Sequence, residues 1–576
     1  MKKAIFIAVL LVVGVSVKSQ NNAVPPLERE VTLSVSDETI PFILNTISQQ
    51  TEIVFSYSPD IISTTSKISI NVKGKPVRYV LNTLFSETVK YKVRGKYIIL
   101  RKNEPSKEEQ KREVVVEGYL YDSQTGNKLT DATVYNKEQK VSAITDKYGY
   151  FKLEVPTEES NTELKISKRG YTDTMLTAIS GNLNYVDLEL ASKPKVAEMP
   201  IFIEPKEDQS KITIPEWLIA NKLLINTRNI SDTLFSKFQI SLVPYVSTNK
   251  LLSGKTVNDY SFNMTVGYVQ GVRKVELGGI ANIVREDAGV CQLAGVANVV
   301  GGLSYGFQGA GTFNAVKSLN GIQSAGILNF VLDDAGYVQL GGTGNIVGGK
   351  FYGVQVAGVF NHTNKIVGTQ VAGVFNNTDS LDGVQISGVL NRASYFKGYQ
   401  IGVINYADSC NGIPFGLFNF VRKGYHKIEL SADEVFYSNI AFRSGVQKFH
   451  SIVTVGVRPN ELQNPLWSFG YGVGTSFEKS SKILYDLDFT VHQLAKGNYI
   501  SEKNKIYKIT AGVDWKVGPK ISLAFGLSYN LYFTDSQSKY YDSTFSSVPP
   551  YTISSNQNGS TVLKTWFGGK VGIRFL

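Results

Sequence analysis

The sequence has little of what catalytic and metal sites are usually assembled from. Its 576 residues include only four histidines, two cysteines and four methionines. His362, His426, His450 and His492 form no H-x-x-x-H pair, and the one match to G-x-S-x-G, Gly302–Gly306, belongs to the Gly-rich repeat phrase "GGLSYGFQGAG". Cys291 and Cys410 lie far apart without metal-ligand spacing, which leaves both a disulfide and two unpaired thiols open. These gaps argue against an enzyme and against a bound cofactor or metal. Charge is sparse too, at 19% of residues. The net charge is +11, but no Lys/Arg run is interleaved with aromatics, so nucleic acid is not an expected partner. Beyond the N-terminus no stretch of about eighteen apolar residues occurs, which excludes a membrane-spanning helix.

Glycine and aromatics are plentiful: 52 Gly, 31 Tyr and 30 Phe. With a mean hydropathy of -0.08, this fits β-structure, including outer-membrane barrels, whose strands carry a weak hydropathy signal. The opening "MKKAIFIAVLLVVGVSVKSQ" has a basic start, an apolar run from Ala4 to Val15, and small residues before Gln20. Residues 1–19 therefore read as an export signal, and no cysteine follows to make it a lipoprotein signal.

Residues 30–101 predict a small α+β unit. Val31, Leu33 and Val35 alternate as a strand. Asp37 is the expected cap of a helix carrying Ile40, Ile43, Leu44 and Ile47 on one face. A second helix is expected from Pro76, with Val77, Val80, Leu81 and Leu84 inward. This order, with "ISQQTEIVFSYSPD" and "GKPVRYVLNTLFSETVKYKVRGKYIILRK", resembles the secretin and TonB short N-terminal domain. The resemblance implies a periplasmic module that contacts a periplasmic or inner-membrane protein. Residues 114–192 read as all β. Gly118, Asp122, Gly126, Leu129, Ala132, Asp146, Gly149, Phe151 and Gly170–Tyr171 resemble the carboxypeptidase regulatory-like β-sandwich, an accessory fold without catalytic residues. The tandem is similar to that of large TonB-dependent receptors of the Bacteroidetes lineage. Here it departs from that pattern: after a linker with a short helix (193–234) no plug sequence follows, so energised import is in doubt.

A phrase close to G-x-Q-φ-A-G-φ-φ-N recurs ten times within residues 274–422, at intervals of 14 to 16 residues. It closes on Asn282, Asn298, Asn314, Asn329, Asn345, Asn361, Asn376, Asn391, Asn405 and Asn419. Successive strand side chains point to opposite faces, so Val356 and Phe360 share one face and Gln355 and Asn361 the other. A period near fifteen suits a membrane strand of about nine or ten residues with a short turn. The C-terminal third alternates as well: in "ISLAFGLSYNLYF" Leu523, Phe525 and Leu527 oppose Ser522, Ala524 and Gly526. Lys508, Asp514, Lys570 and Arg574 lie on polar faces. The ending, with penultimate Phe575, resembles the assembly signal of outer-membrane barrels.

The expected architecture is therefore multidomain. A small α+β domain and a β-sandwich lie in the periplasm, and residues 235–576 form a transmembrane antiparallel β-barrel of roughly 16–22 strands, with the repeats as part of its wall. Its partner would be outer-membrane lipid. Gln292, Gln308, Gln323, Gln339, Gln355, Gln370 and Gln385 would face the lumen, with Asn298, Asn314, Asn329, Asn345, Asn361, Asn376 and Asn391. Val356→Arg should then impair assembly more than Gln355→Arg. The function expected is non-enzymatic envelope transport or signalling from the outer membrane. The alternative fold for the repeats is a β-solenoid with stacked Asn, which requires each coil to bend at the Ala-Gly pair, and the alternative function is a surface structural or adhesion protein. The repeats resemble surface-repeat proteins of bacterial envelopes, which adds little about function.

Overall fold

The computed structural model describes residues 24–62, 65–85, 88–102, 113–156, 161–179, 184–193, 212, 214, 216, 219–458 and 464–575. The export signal and most of the 193–234 linker lie outside them. One compact unit holds the described residues up to 193 with Arg228–Ile230, and a second holds the remainder.

The first unit begins with the α+β module. Strand β1 (Glu30–Thr39) leads into helix α1 (Ile40–Thr51), whose Ile40, Ile43, Leu44 and Ile47 are buried, as the 3.6-residue spacing requires. The expected Asp37 cap is not used. Asp37 lies inside β1 at a φ of 57°, a left-handed conformation that Asp tolerates, and Thr39 precedes the helix without a side-chain cap bond. Strands β2 (Val54–Ser56), β3 (Lys67–Pro76), β4 (Val89–Arg94) and β5 (Tyr97–Lys102), with helix α2 (Val77–Phe85), complete the module. Strand β1 pairs with β3, while β2, β5 and β4 form a second small sheet.

Strands β6 (Glu113–Asp122) to β12 (Asn184–Leu190) form sheets of four and three strands. Val114, Val116, Leu153, Leu164 and Ile166 from both sheets fill a shared core, giving a β-sandwich. Polar contacts tie the sandwich to the α+β module. Buried Glu28 accepts from Arg78 Nη2 (2.7 Å) and Tyr119 Oη (2.6 Å), and Glu117 accepts from Tyr150 Oη (2.7 Å) and from Asn82. Arg78 also lies over the Tyr150 ring, 4.0 Å from its centroid.

In the second unit the repeats are not wall strands of a large barrel. They are a parallel β-solenoid, the architecture held as the alternative. Each residue pairs with its counterpart one repeat later: Asn361 with Asn376, Gln370 with Gln385, Gly368 with Gly383. An antiparallel meander would bring unlike residues together; parallel coiling brings identical ones together. The required bend occurs at the Ala-Gly pair, where strand Gly344–Ala357 ends and Phe360–Ala372 begins. Glycine is required there, because a Cβ on Gly373 would sit 2.1 Å from the Gly358 carbonyl oxygen. A helix, Asn221–Asn229, lies near the first coils, where Leu223 packs with Ile219, Tyr268 and Ile283.

The chain then changes from parallel to antiparallel. Eight strands follow: Tyr425–Asp433, Ser438–Val446, Phe449–Arg458, Leu466–Ser480, Ile483–Lys496, Tyr499–Lys516, Ile521–Asp535 and Thr561–Phe575. The last pairs with its predecessor and also with the first, Leu430 opposite Ile573, so the ladder returns on itself as a ring. The repeats contribute no strand to it, which corrects the expectation of 16–22 wall strands.

Candidate functional site: a charged interior behind an apolar wall

Period-2 alternation sorts the ring's side chains into two sets. Ile428, Leu430, Ile440, Phe442, Leu487, Phe489, Phe525 and Val571 are exposed on the outside, and Leu527 is 77% exposed. Their sequence neighbours Lys427, Glu429, Arg443, Asp486 and Asp488 are buried, as is Asp514 beside the exposed Trp515. This inverts a soluble protein, in which charged side chains are almost never fully buried unless paired.

The buried charges are paired throughout. Arg443 donates to Glu429 (3.0 Å) and in bidentate fashion to Asp488 (2.9 and 2.5 Å). Its Nη1 also meets His450 Nε2 at 3.1 Å. Arg574 donates to Glu429 (2.7 Å), to Asp514 (3.1 Å) and to Asp486. Lys570 reaches Glu429 at 2.9 Å and Lys508 reaches Asp433 at 2.6 Å, while Lys427 pairs with Asp514. Five cations thus face five carboxylates. Buried ions must be matched in this way, because an unpaired one costs several kcal/mol.

The ring has no open bore. Among these ions the remaining cavity is about 40 Å³, lined by Glu429, Arg443, Asp488, His492 and Lys508 among others. An eight-stranded ring is just wide enough for side chains to fill it. One mouth is also closed by an apolar plug from the 536–553 connection, where Phe545 and Val548 pack on Phe436, Leu494, Tyr532 and Trp566.

The amides singled out in the repeats are buried as well, but within the coil, not in a lumen. Gln292, Gln308, Gln323, Gln339, Gln355, Gln370 and Gln385 form a ladder in which each Nε2 donates to the residue one coil back, at 2.7–2.8 Å. Its first acceptor is Glu276, and Gln400 is its last rung. Pro414 takes the next position, and Gln400 Oε1 is buried without a partner. Asn298, Asn314, Asn329, Asn345, Asn361, Asn376 and Asn391 form a second ladder, donating forward at 2.8–3.0 Å. Each also braces the Ala-Gly bend through a carbonyl, as Asn361 does with Val371 O at 2.8 Å. The coil interior also holds an apolar column that includes Val347, Phe351, Ile366, Leu381 and Phe396.

This filling reverses the expected order of the two arginine substitutions. Gln355 is fully buried among neutral amides, five coils from Glu276 at the head of the ladder, whereas Val356 is on the outside, so arginine is worse at 355. Cys291 and Cys410 are both unpaired thiols. Lys508, Asp514, Lys570 and Arg574, expected on polar faces, do meet in the ring interior. Lys427, Glu429, Arg443, Asp486 and Asp488 were not singled out, although alternation in "HKIELSAD" and "LYDLDF" carries the same signal.

Among the described residues no group of His, Cys, Asp and Glu is placed to hold a metal ion, and no helix is long and apolar enough to cross a membrane. No curated protein matches the chain. The model of one family, the CarboxypepD_reg-like domain, matches residues 116–200, the β-sandwich and the segment after it.

Proposed function

We propose that the C-terminal ring is an outer-membrane β-barrel that anchors the chain, with the N-terminal modules on the periplasmic side. The observation that carries the reading is the inverted polarity of the ring: aliphatic and aromatic side chains outside, paired ions inside. Lipid solvates the first set and the closed ladder leaves no free strand edge. The two ends of the ring also differ as in such barrels, which have short periplasmic turns and longer outer loops. The turns at 447–448, 481–482 and 517–520 are all short and carry Lys448, Lys482 and Lys520, while the other end has the long connections 459–465 and 536–560 beside the short 434–437 and 497–498. The solenoid enters the ring at the short-turn end, through Arg422–Gly424.

The filled interior favours anchoring and signalling over passage of solutes. The α+β module resembles the secretin and TonB short N-terminal domain and serves as the contact site for a periplasmic or inner-membrane protein; the chain is non-enzymatic. Heat-modifiable migration tests the barrel. A closed ring held by ion pairs and backbone ladders should migrate differently on a detergent gel before and after boiling. Identical migration of folded protein under both conditions would overturn the reading.

A further inference from the structure

The solenoid has an outer edge that the anchoring role does not use. Each coil bends at a glycine, preceded by alanine in five of the ten copies, and the residue after the glycine forms the tip. The ten tips from Ile280 to Leu417 are eight aliphatic residues and two threonines, with no charge. Ile280, Val296, Ile327, Val374, Val389 and Leu417 are 41–50% exposed. At a strand spacing of about 4.8 Å, this apolar rim is about 43 Å long. An apolar groove of about 580 Å³ follows its first coils, between Phe262 and Ala310.

Three observations separate this rim from an ordinary exposed patch. First, its backbone N–H groups are satisfied. Val374 N donates to Val359 O (3.0 Å) and Val389 N to Val374 O (3.1 Å), so the turns carry their own hydrogen bonds along the stack. These N–H groups need no water, as hydrocarbon would require of them. Second, charge collects at the opposite corner of the coils, where Lys397 meets Asp382 (3.3 Å) and Arg422 meets Asp408 (2.9 Å). Third, the rim continues into the outer wall of the ring. Gly416 O accepts from Tyr471 Oη (2.8 Å) and Ser451 Oγ (3.0 Å), and the Phe415 and Phe449 rings lie 4.6 Å apart. Both Tyr471 and Ser451 are on the outward face of the ring.

We infer that the solenoid is a lipid-embedded wedge: its Gly-aliphatic rim enters the bilayer beside the ring while its charged corner stays at the membrane surface. The run Ile366–Ala372 extends about 23 Å at about 3.3 Å per residue. That is less than the hydrocarbon thickness of about 30 Å, so the wedge enters from one side without crossing. The charged corner leads into the ring at its short-turn end, which sets the periplasmic side as the side of entry. The amide ladders then pair the coil's buried Gln and Asn side chains internally, Gln400 Oε1 excepted, while the rim remains apolar.

The inference rests on the barrel reading, and one experiment separates them. Single cysteines are placed in the full chain carrying Cys291→Ser and Cys410→Ser, labelled with nitroxide and reconstituted in phospholipid vesicles. Val389→Cys probes the rim, Lys365→Cys the charged corner and Leu527→Cys the ring wall. Oxygen, which concentrates in lipid, should relax the labels at 389 and 527 several-fold more than a water-soluble nickel complex does, with the reverse at 365. A water-exposed label at 389 beside a lipid-exposed one at 527 would overturn the wedge and leave the barrel standing. A label at 389 shielded from both reagents would also overturn it, in favour of a second copy or another protein on the rim. A water-exposed label at 527 would overturn both.

Discussion

The solenoid and the ring solve one problem in two ways. Both bury polar side chains and turn apolar ones outward. The solenoid uses neutral amides in stacked rows, each rung the same as the last, and hydrogen bonding is passed along the axis in opposite senses by Gln and Asn. The ring uses ions that come from strands far apart in sequence, such as Glu429 with Arg574. A parallel stack places like beside like, and an amide is both donor and acceptor, so it pairs with its own copy; a lysine or aspartate cannot. An antiparallel ring places unlike residues side by side, and opposite charges can then be matched.

The largest effects should come from breaking each rule with the other's chemistry. Gln355→Arg places a cation among neutral amides, five coils from Glu276, and should cost about 3–5 kcal/mol, as uncompensated buried charges do. Val356→Arg points outward, where arginine costs about 2–4 kcal/mol against lipid at mid-membrane and about 0–1 near the surface, so the smaller loss is expected in detergent. Urea unfolding of the two variants in detergent checks the order, and equal losses would break the account of the ladder.

Removing a charge from the ring tests the same comparison from the other side. Arg443→Met leaves Glu429 and Asp488 without their shared partner and should also cost about 3–5 kcal/mol. The double variant Arg443→Met with Asp488→Leu should recover part of that loss. The temperature at which the folded gel band disappears is the readout.

Asn376→Ala should cost less, about 2–3 kcal/mol. It strands the Asn361 donor, the Asn391 acceptor and the Ile386 carbonyl, buried groups that cost about 1–3 kcal/mol when unpaired. Hydrogen exchange should quicken at the neighbouring bends, Val374 and Val389, and leave the ring amides unchanged.

The smallest effect lies in the β-sandwich, which is built the ordinary way round. Backbone N–H groups of Thr125 (2.8 Å) and Gln124 (2.9 Å), with the Tyr171 hydroxyl (2.8 Å), hold the Asp122 carboxyl below the usual carboxylate range. A lowered folded pKa adds stability above the unfolded value of about 4, and that stability is lost as the pH falls through the folded value. Asp122→Asn should weaken the sandwich at neutral pH and flatten its acid dependence, measured by exchange of the Gln124 and Thr125 amides between pH 3 and 6.

Face assignment was legible in the sequence. Alternation placed Gln355 and Asn361 opposite Val356 and Phe360, and it placed Lys508, Lys570 and Arg574 opposite an apolar set. The glycine of the bend was visible as the residue three before each Asn. The direction of pairing was not legible, because period-2 alternation is the same in parallel and antiparallel sheets. The decisive clue was chemical: a row of identical amides at one phase is what a stack uses. The ion network was only half visible, since charges on one strand do not reveal which distant strand lies beside them. The Asp37 cap failed because β1 extends to Thr39 and takes Asp37 into a strand distortion.

The central claim is that the second unit is built with its apolar side outward because lipid surrounds it. Membrane fractionation of the full chain tests this most directly. The account predicts that the protein remains with the outer membrane after washing with salt and alkali, and leaves it only in detergent. A folded protein that stays in solution without detergent would contradict it.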